Sequence, residues 1–184
     1  MTKEEWVAKL EFAAKTSKDL TGDLMILLDE FIRSATFAYG HPSFIGSGPF
    51  GPEILAGIQD AKIRKIIRER AVYLRKQEYI RLQKKAGHVS FKMTKDGRVR
   101  ILYQKIRYQE RVLPGGELTI VAFDIPEDIK ATRWILRKRL REFGFEQHQK
   151  SVWVTQKDIA SDLAAYIGLI GARKWVSIFK GSRF

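Results

Sequence analysis

The sequence predicts an α+β protein in two parts, and three observations lead to that prediction. Apolar residues recur at helical spacing over most of the first 77 positions. After residue 113 the pattern changes to short buried-type strands that alternate with amphipathic helices. The net charge of +13 equals the net charge of residues 61–112 alone, because the flanking segments carry −4 and +4. We therefore expect a helical, strongly basic part followed by a mixed C-terminal part.

The composition limits the class of protein. The chain has 184 residues, 45% of them hydrophobic, and no cysteine, which excludes disulfides, thiolate zinc sites and cysteine nucleophiles. Its beginning lacks the pattern of a signal peptide, and its longest apolar runs are too short to span a bilayer. We expect a soluble cytoplasmic protein.

The first 60 residues predict helices and one loop. Residues 1–18 read as an N-terminal helical extension whose Trp6, Leu10 and Ala13 share a face, and a second helix begins near Thr21. Residues 40–52 are rich in Gly and Pro, which predicts a loop. The sequence does not define the role of the loop or of the extension.

A basic amphipathic helix is predicted over residues 61–77, with Asp60 as its N-cap. At about 100° per residue, Ile63, Ile66, Ile67, Ala71 and Leu74 fall on one arc. Six cations fall on the opposite arc: Lys62, Arg64, Lys65, Arg68, Arg75 and Lys76. We expect the first face to pack and the second to meet a polyanion, of which nucleic acid is the leading candidate.

A basic β-hairpin is predicted directly after this helix. The hairpin consists of a strand-like segment at 78–82, a basic turn containing Lys84 and Lys85, and an alternating segment at 88–93. Asp96-Gly97 follows, a pair that is typical of tight turns. Residues 98–103 then read as a returning strand. A helix followed by a hairpin indicates a winged helix-turn-helix domain over 19–112, with Lys84, Lys85, Lys95 and Arg98 on DNA backbone. The alternative is a set of solvated surface charges.

The C-terminal part predicts a second domain over 113–184, after the break at Pro114-Gly115-Gly116. We predict four strands, at 117–124, 145–149, 151–155 and 174–179. We also predict two helices, one from Pro126 to about Phe143 and one over 157–168. The resulting order, βαββαβ, is the ferredoxin-like arrangement.

Four segments of this second part carry a family resemblance: residues 120–126, Arg133 with the helix 136–140, residues 143–145, and the run 149–154 that ends in Ser-Val-Trp-Val. They resemble the Cas2-like domain of the PaaX-type transcriptional repressors and, more distantly, the CRISPR-associated Cas2 nucleases, which have no winged helix in front. The basic helix and hairpin are similar to the winged-helix domain of the PaaX-type family. The resemblance implies a repressor that binds double-stranded DNA as a homodimer joined through the C-terminal domain, with the effector undefined.

Two other functions stay open. Asp124 ends a strand and, facing its symmetry mate in a dimer, could hold Mg²⁺ for a Cas2-type endonuclease or CRISPR adaptation protein. One carboxylate per subunit makes a poor metal site, so we expect no cofactor and no enzymatic activity. The other alternative is an adaptor that binds duplex DNA by charge alone.

The second part also carries aromatic and basic residues of open assignment. We expect Trp134, Trp153 and Trp175 in the core or the dimer surface, with base stacking as the alternative. A second cluster of cations either follows a phosphate backbone or forms a solvated helix face: Arg133, Arg137, Lys138, Arg139 and Arg141.

Overall fold

The computed structural model describes residues 2–38, 52–85 and 88–182 of the chain. These residues form helices and antiparallel sheets, so the predicted α+β class is confirmed. The chain divides into two compact units, residues 1–101 and residues 102–184. The Gly- and Pro-rich segment at 40–52 lies outside the described residues, except for Pro52.

The N-terminal unit consists of helices followed by one hairpin. Its elements are α1 (Lys3–Thr16), α2 (Leu20–Ala38), α3 (Pro52–Gly57), α4 (Ala61–Lys76), β1 (Ile80–Lys85), β2 (His88–Met93) and the beginning of α5 (Lys95–Arg107). Helix α1 opens with a capping box, in which the Thr2 hydroxyl accepts from the Glu5 N–H and the Glu5 carboxylate accepts from the Thr2 N–H.

Two clusters of buried side chains hold this unit together. In the first, Trp6 and Leu10 of α1 pack with α2, α3 and α4, and the rings of Trp6 and Phe31 meet edge to face with centroids 5.2 Å apart. In the second, Leu74 of α4 packs with Met25, Leu28, Ile80, Met93 and Ile101. Helix α1 is therefore part of the core of the unit, and α4 contributes to both clusters.

The prediction of a second hairpin turn at 94–97 and a returning strand at 98–103 was wrong. Residues 95–107 form the helix α5. The hydroxyl of Thr94 accepts a hydrogen bond from the Gly97 N–H at 3.1 Å, and the Thr94 carbonyl accepts from the Arg98 N–H at 3.0 Å. Thr94 therefore acts as a helix N-cap, and Asp96-Gly97 falls in the first helical turn.

The C-terminal unit contains a four-stranded antiparallel sheet and two long helices. After the end of α5 come β3 (Leu118–Phe123), α6 (Lys130–Glu142), β4 (Glu146–Gln149), β5 (Val152–Thr155), α7 (Ala160–Leu169) and β6 (Val176–Gly181). The strands lie side by side in the order β4-β5-β3-β6, and Val121 of β3 lies opposite Trp153 of β5 and Ile178 of β6. The strand β3 is thus central in the sheet.

The two faces of this sheet differ in burial. Thr119, Val121 and Phe123 are buried on one face, where Arg137 and Arg141 of α6 lie over the rings of Phe123 and Trp153. The residues of β3 that lie between these three point to the other face, because successive side chains of a strand point to opposite faces of the sheet. The strand register adds residues of β5 and β6 to this second face, which we call the open sheet face: Leu118, Ile120, Ala122, Val152, Val154 and Phe179.

Exposure on the open sheet face is uneven. Phe179 is 55% exposed, Leu118, Ile120, Ala122 and Val152 are half-buried, and Val154 alone among these six is buried.

None of the helices in the described part of the chain has the length and apolar character that crossing a membrane requires.

Candidate nucleic-acid interface

Helix α4 begins where the sequence predicts. Asp60 is the N-cap, and its Oδ1 accepts from the backbone N–H groups of Lys62 at 2.8 Å and Ile63 at 3.3 Å. These bonds satisfy two of the N–H groups that a helix leaves without intrahelical partners. The start of the helix, and with it the phase of its two faces, is fixed by this cap.

The packed face of α4 is narrower than the predicted arc. Ile63, Ile67 and Leu74 are buried in the two clusters, and Ala71 is half-buried. Ile66 was expected on this face, but it is 39% exposed. The prediction for Ile66 was wrong, and by helix angle Ile66 lies at the edge of the arc, about 60° from Ile63.

The opposite side of α4 carries exposed cations. We call this side the α4 cationic face: Lys62, Arg64, Lys65, Arg68, Arg75 and Lys76. Five of the six are exposed, and the half-buried Arg64 has its Nη2 3.5 Å from the Gln59 carbonyl oxygen. The anion Glu69 lies 4.0 Å from Lys65 Nζ, and both side chains are mostly exposed, so this pair neutralises little of the face.

Three further residues of the same helix are exposed and were not predicted from the sequence: Arg70, Val72 and Tyr73. Arg70 lies close to the buried arc by angle, so periodicity alone assigns it no clear face. Its position one turn after Ile66 gave no signal of exposure, because Ile66 was itself expected to pack.

The chain leaves α4 through a turn that sets the position of the hairpin. Glu78 has a φ of 55°, in the left-handed region, and its N–H donates to the Arg75 carbonyl at 3.0 Å. The Tyr79 N–H donates to the Leu74 carbonyl at 3.1 Å, which closes the last turn of the helix. The next residue, Ile80, is buried and starts β1, so the hairpin is attached to α4 without a linker.

The four cations predicted on hairpin turns lie at two different places. Lys84 and Lys85 end β1, with Lys85 opposite His88 across a two-residue connection, so their backbone is at the tip of the hairpin. Lys95 and Arg98 were expected on a turn, but both are exposed residues of the first turns of α5. Because α5 starts against Tyr79 and Met93, these two residues lie near the base of the hairpin.

The cation cluster of the C-terminal unit divides into engaged and exposed members. Arg133 donates to the Glu127 carboxylate and the Ile125 carbonyl, Arg137 donates to the Lys150 carbonyl at 3.1 Å, and Arg139 donates to Glu142 at 2.6 Å. Lys138 and Arg141 are exposed. The sequence pattern did not separate these two groups. The partners of Arg133 and Arg137 lie outside α6, but Glu142 is three residues after Arg139 on the same helix.

The three tryptophans of this unit have different environments. Trp153 is 1% exposed and belongs to the core, as predicted, while Trp175 is half-buried under Lys174, whose Nζ lies 4.3 Å from the ring centroid. Trp134 is 64% exposed on α6, so it is not a core residue.

Asp124 directly follows β3 and is exposed. Its backbone N–H donates to the Trp175 carbonyl at 2.9 Å. Of the carboxylates that follow it, Glu127 is bound by Arg133, and the hydrogen bond from Arg133 holds the pKa of Glu127 below its usual range. No group of three or more metal-ligating side chains comes together within residues 2–38, 52–85 and 88–182. Asp124 and Asp128 are therefore exposed carboxylates near the end of β3, and neither belongs to a group of metal-ligating side chains among the described residues.

Comparison with known proteins finds a family match for the C-terminal part of the chain. The family model described as the PaaX protein central Cas2-like domain matches residues 115–184. The match covers all the strands and both helices from β3 to β6. No curated protein and no solved structure matches the chain.

Proposed function

We propose that the chain is a transcription regulator, a repressor that binds specific duplex DNA sequences as a homodimer. The match of residues 115–184 to the PaaX central Cas2-like domain supports this proposal. The observation that carries the proposal is the α4 cationic face followed at once by a hairpin with basic residues at its tip. The order α2, α3, α4, β1, β2 is that of a winged helix-turn-helix domain, with α4 as the recognition helix.

The dimensions of α4 suit a major groove. Its 16 residues span about 24 Å, and the groove of about 12 Å width admits one helix. The side of α4 that faces away from the protein core is the side that carries the cations. Insertion of this face would therefore bring cations to the DNA without disrupting the packing of Ile63, Ile67 and Leu74.

The arginines and lysines of α4 have separate roles in this proposal. At about 100° per residue, Arg64, Arg68 and Arg75 lie within about 40° of one another and form an arginine stripe. Guanine O6 and N7 in the major groove are read best by the planar guanidinium group, so the stripe is assigned to base contacts. Lys62, Lys65 and Lys76 lie on the other flank and are assigned to phosphates.

The hairpin acts as the wing. Lys84 and Lys85 lie next to its tip, where a wing touches backbone or minor groove. Lys95 and Arg98 remain candidate phosphate ligands, from the start of α5 in place of the predicted turn. The attachment of β1 to α4 through Glu78 and Tyr79 would keep the wing at a constant position relative to the recognition helix.

The homodimer is assigned to the open sheet face. The order β4-β5-β3-β6 is the strand order of a ferredoxin-like sheet, in which helices cover one face only. The other face here presents Ile120, Val152 and Phe179, and apolar side chains on a sheet face are stabilised by a second layer. A second copy supplies that layer by two-fold symmetry, because the same patch then contacts itself.

The double variant Arg64→Ala/Arg68→Ala tests the proposal. Duplexes bound by the wild-type protein are first selected from genomic fragments, and the affinity for the selected sequence is then measured at fixed salt. We expect the variant to bind at least about tenfold more weakly, because each lost base contact costs about 1–3 kcal/mol. The matched control is Lys15→Ala/Lys18→Ala, which removes the same charge from exposed positions of the same unit and should retain the affinity.

Two outcomes contradict the proposal. Unchanged affinity and sequence preference in the arginine variant would remove α4 from the interface. A selection that returns no common sequence, together with an affinity that falls steeply with salt, would instead identify a protein that binds duplex DNA by charge alone.

A further inference from the structure

Helix α6 has an outward side that the proposed repressor function does not use. Four exposed residues follow one another along it at helical spacing, and we call them the α6 outer stripe: Lys130, Trp134, Lys138 and Arg141. At about 100° per residue they fall within about 80° of one another. The inward side of the same helix carries Leu136 and Leu140, which are buried.

The central residue of the stripe is an accessible indole. Trp134 is 64% exposed, and Lys138 Nζ lies 5.5 Å from its ring centroid. A tryptophan contributes most to stability when it is buried, so exposure of the larger part of this ring is unfavourable for folding alone. A ligand that covers the ring would recover that free energy.

The cations around Trp134 are available for a ligand. Over the described part of the chain, Lys130, Lys138 and Arg141 form no ion pair with a carboxylate, whereas Arg133 and Arg139 on the same helix are paired with Glu127 and Glu142. Lys138 thus lies beside the exposed ring, and Lys130 is exposed one turn before it. Arg141 is also exposed, although its guanidinium lies 5.5 Å from the centroid of the Trp153 ring.

We propose that the α6 outer stripe binds single-stranded nucleic acid. One base stacks on Trp134, and the phosphates on either side of that base contact Lys130, Lys138 and Arg141. Positive side chains that follow a backbone, combined with an aromatic ring on which a base stacks, are the chemistry by which proteins hold single strands without reading sequence. This site lies in the other unit from the arginine stripe and takes a different ligand.

Charge and shape favour this ligand over the other candidates. A base paired within a duplex stacks on its neighbours, so its face is not accessible to Trp134, whereas a base in a single strand exposes it. An apolar protein surface would match the open sheet face better, because that face presents Leu118, Ile120 and Phe179. The stripe combines one ring with three positive charges, which complements a polyanion.

The length of the stripe limits the number of nucleotides. Lys130 and Arg141 are 11 residues apart, which corresponds to about 16 Å along the helix axis. A stripe of this length with one ring contacts a short segment with one stacked base. We therefore expect weak, salt-dependent binding with little preference for base sequence.

The test uses the full-length protein with two probes, a 12-nucleotide oligo-dT and a 12-nucleotide oligo-U. Dissociation constants are measured by fluorescence anisotropy for the wild type and for Trp134→Ala. We expect Trp134→Ala to weaken binding at least about fivefold, the loss that corresponds to one stacked base. Lys138→Ala should reduce the slope of affinity against salt concentration, because one phosphate contact is removed.

The matched control is Tyr108→Ala, which removes another exposed aromatic ring of the same unit. This ring also has a cation beside it, since the guanidinium of Arg107 lies 5.5 Å from the centroid of the Tyr108 ring. It should leave the affinity for both probes unchanged. The proposal is overturned if the wild type binds neither probe or if Trp134→Ala binds them as tightly as the wild type. A change of oligomeric mass in Trp134→Ala without a change in affinity would assign the stripe to a protein partner and also overturn it.

The two proposals fail separately. Arg64→Ala/Arg68→Ala should lose the selected duplex and retain the single-stranded probes, whereas Trp134→Ala should do the reverse. If Arg64→Ala/Arg68→Ala lost the selected duplex and the single-stranded probes to the same extent, the assignment of single strands to α6 would be contradicted.

Discussion

Gly97 lies where the first turn of α5 approaches the end of the hairpin most closely. A Cβ atom at this position would overlap the carbonyl oxygen of Tyr79 and the Sδ atom of Met93. The residue is buried and its φ is not positive, so it is required for its small size and not for an unusual backbone conformation. The contact belongs to the core of the N-terminal unit, since Met93 and Tyr79 both pack against the cluster around Leu74.

We predict that Gly97→Ala destabilises the protein. Alanine favours a helix over glycine by about 1 kcal/mol, but overpacking against backbone costs about 1–3 kcal/mol, so the free energy of unfolding should fall. The matched control is Gly168→Ala in α7, where a Cβ meets no atom within 4 Å and a gain of about 0.4–1 kcal/mol is expected. The urea concentrations at the midpoints of unfolding measure the stability of both variants. A midpoint of Gly97→Ala at or above the wild-type value would contradict the close approach of Gly97 to Tyr79 and Met93.

The error at Gly97 shows what a local pattern leaves out. Asp96-Gly97 is typical of a hairpin turn, and the sequence on either side alternates well enough to support one. The Thr94 hydroxyl, three residues earlier, is an equally valid N-cap signal for a helix. The choice between them depends on Tyr79 and Met93, which accommodate a helix with glycine at position 97.

Helices α5 and α6 are connected by a polar cluster around Glu142. The Oε2 atom of Glu142 accepts a hydrogen bond from the Tyr103 hydroxyl at 3.1 Å and from Arg139 Nη1 at 2.6 Å. The guanidinium of Arg139 also lies 4.9 Å from the centroid of the Tyr103 ring. Burial raises the pKa of the Glu142 carboxyl, whereas the hydrogen bonds from Arg139 and Tyr103 lower it. The lowering is the larger effect, so the pKa of Glu142 lies below its usual value.

We predict that Glu142→Gln destabilises the C-terminal unit in a pH-dependent way. A carboxyl whose pKa is lower in the folded state stabilises the protein above its unfolded pKa of about 4.3, and this stabilisation is lost as the pH falls through the folded pKa. Wild type and variant should therefore differ by about 1 kcal/mol at neutral pH. The difference should shrink below about pH 4.

Thermal unfolding at a series of pH values measures this effect. Glu110→Gln, at an exposed position of the same unit, is the control and should match the wild type throughout. A difference between Glu142→Gln and the wild type that stays constant from neutral to acidic pH would show that the contribution is not electrostatic.

At the scale of elements, the sequence located α4 closely and misassigned the segment after the hairpin. The cap at Asp60 and the buried residues Ile63, Ile67 and Leu74 are explained by local chemistry and periodicity. The exposure of Ile66 is not, because it depends on how far the neighbouring helices extend along α4. Likewise, the roles of Arg133 and Arg139 were set by Glu127 and Glu142, acidic partners that the basic pattern did not identify.

At the scale of the whole molecule, the proposed homodimer places the exposed apolar residues of the sheet in an interface. Phe179 is the most exposed of them, and it lies opposite Ile120 on the central strand. A charge at this position would be buried in the interface without a partner.

We predict that Phe179→Glu weakens self-association at least about tenfold, because an unpaired buried charge and a lost aromatic anchor both act against the dimer. Sedimentation at several protein concentrations gives the dissociation constants of the wild type and the variant. Trp134→Ala, exposed on the opposite side of the unit, should retain the wild-type mass. A wild-type protein that is monomeric at all concentrations, or a Phe179→Glu variant that associates as the wild type does, would contradict the assignment of the open sheet face.

The sequence by itself determined where the charge lies, where α4 begins, and that the second part is similar to the Cas2-like domain of the PaaX type, because these depend on residues close together in the chain. Only the tertiary structure decided that residues 95–107 form a helix and that Trp134 is exposed while Trp153 is buried. The pair of Arg139 with Glu142, three residues later on α6, lies within the range of a local pattern. Burial is set by contacts between elements distant in the chain, and a local pattern contains no information about those contacts.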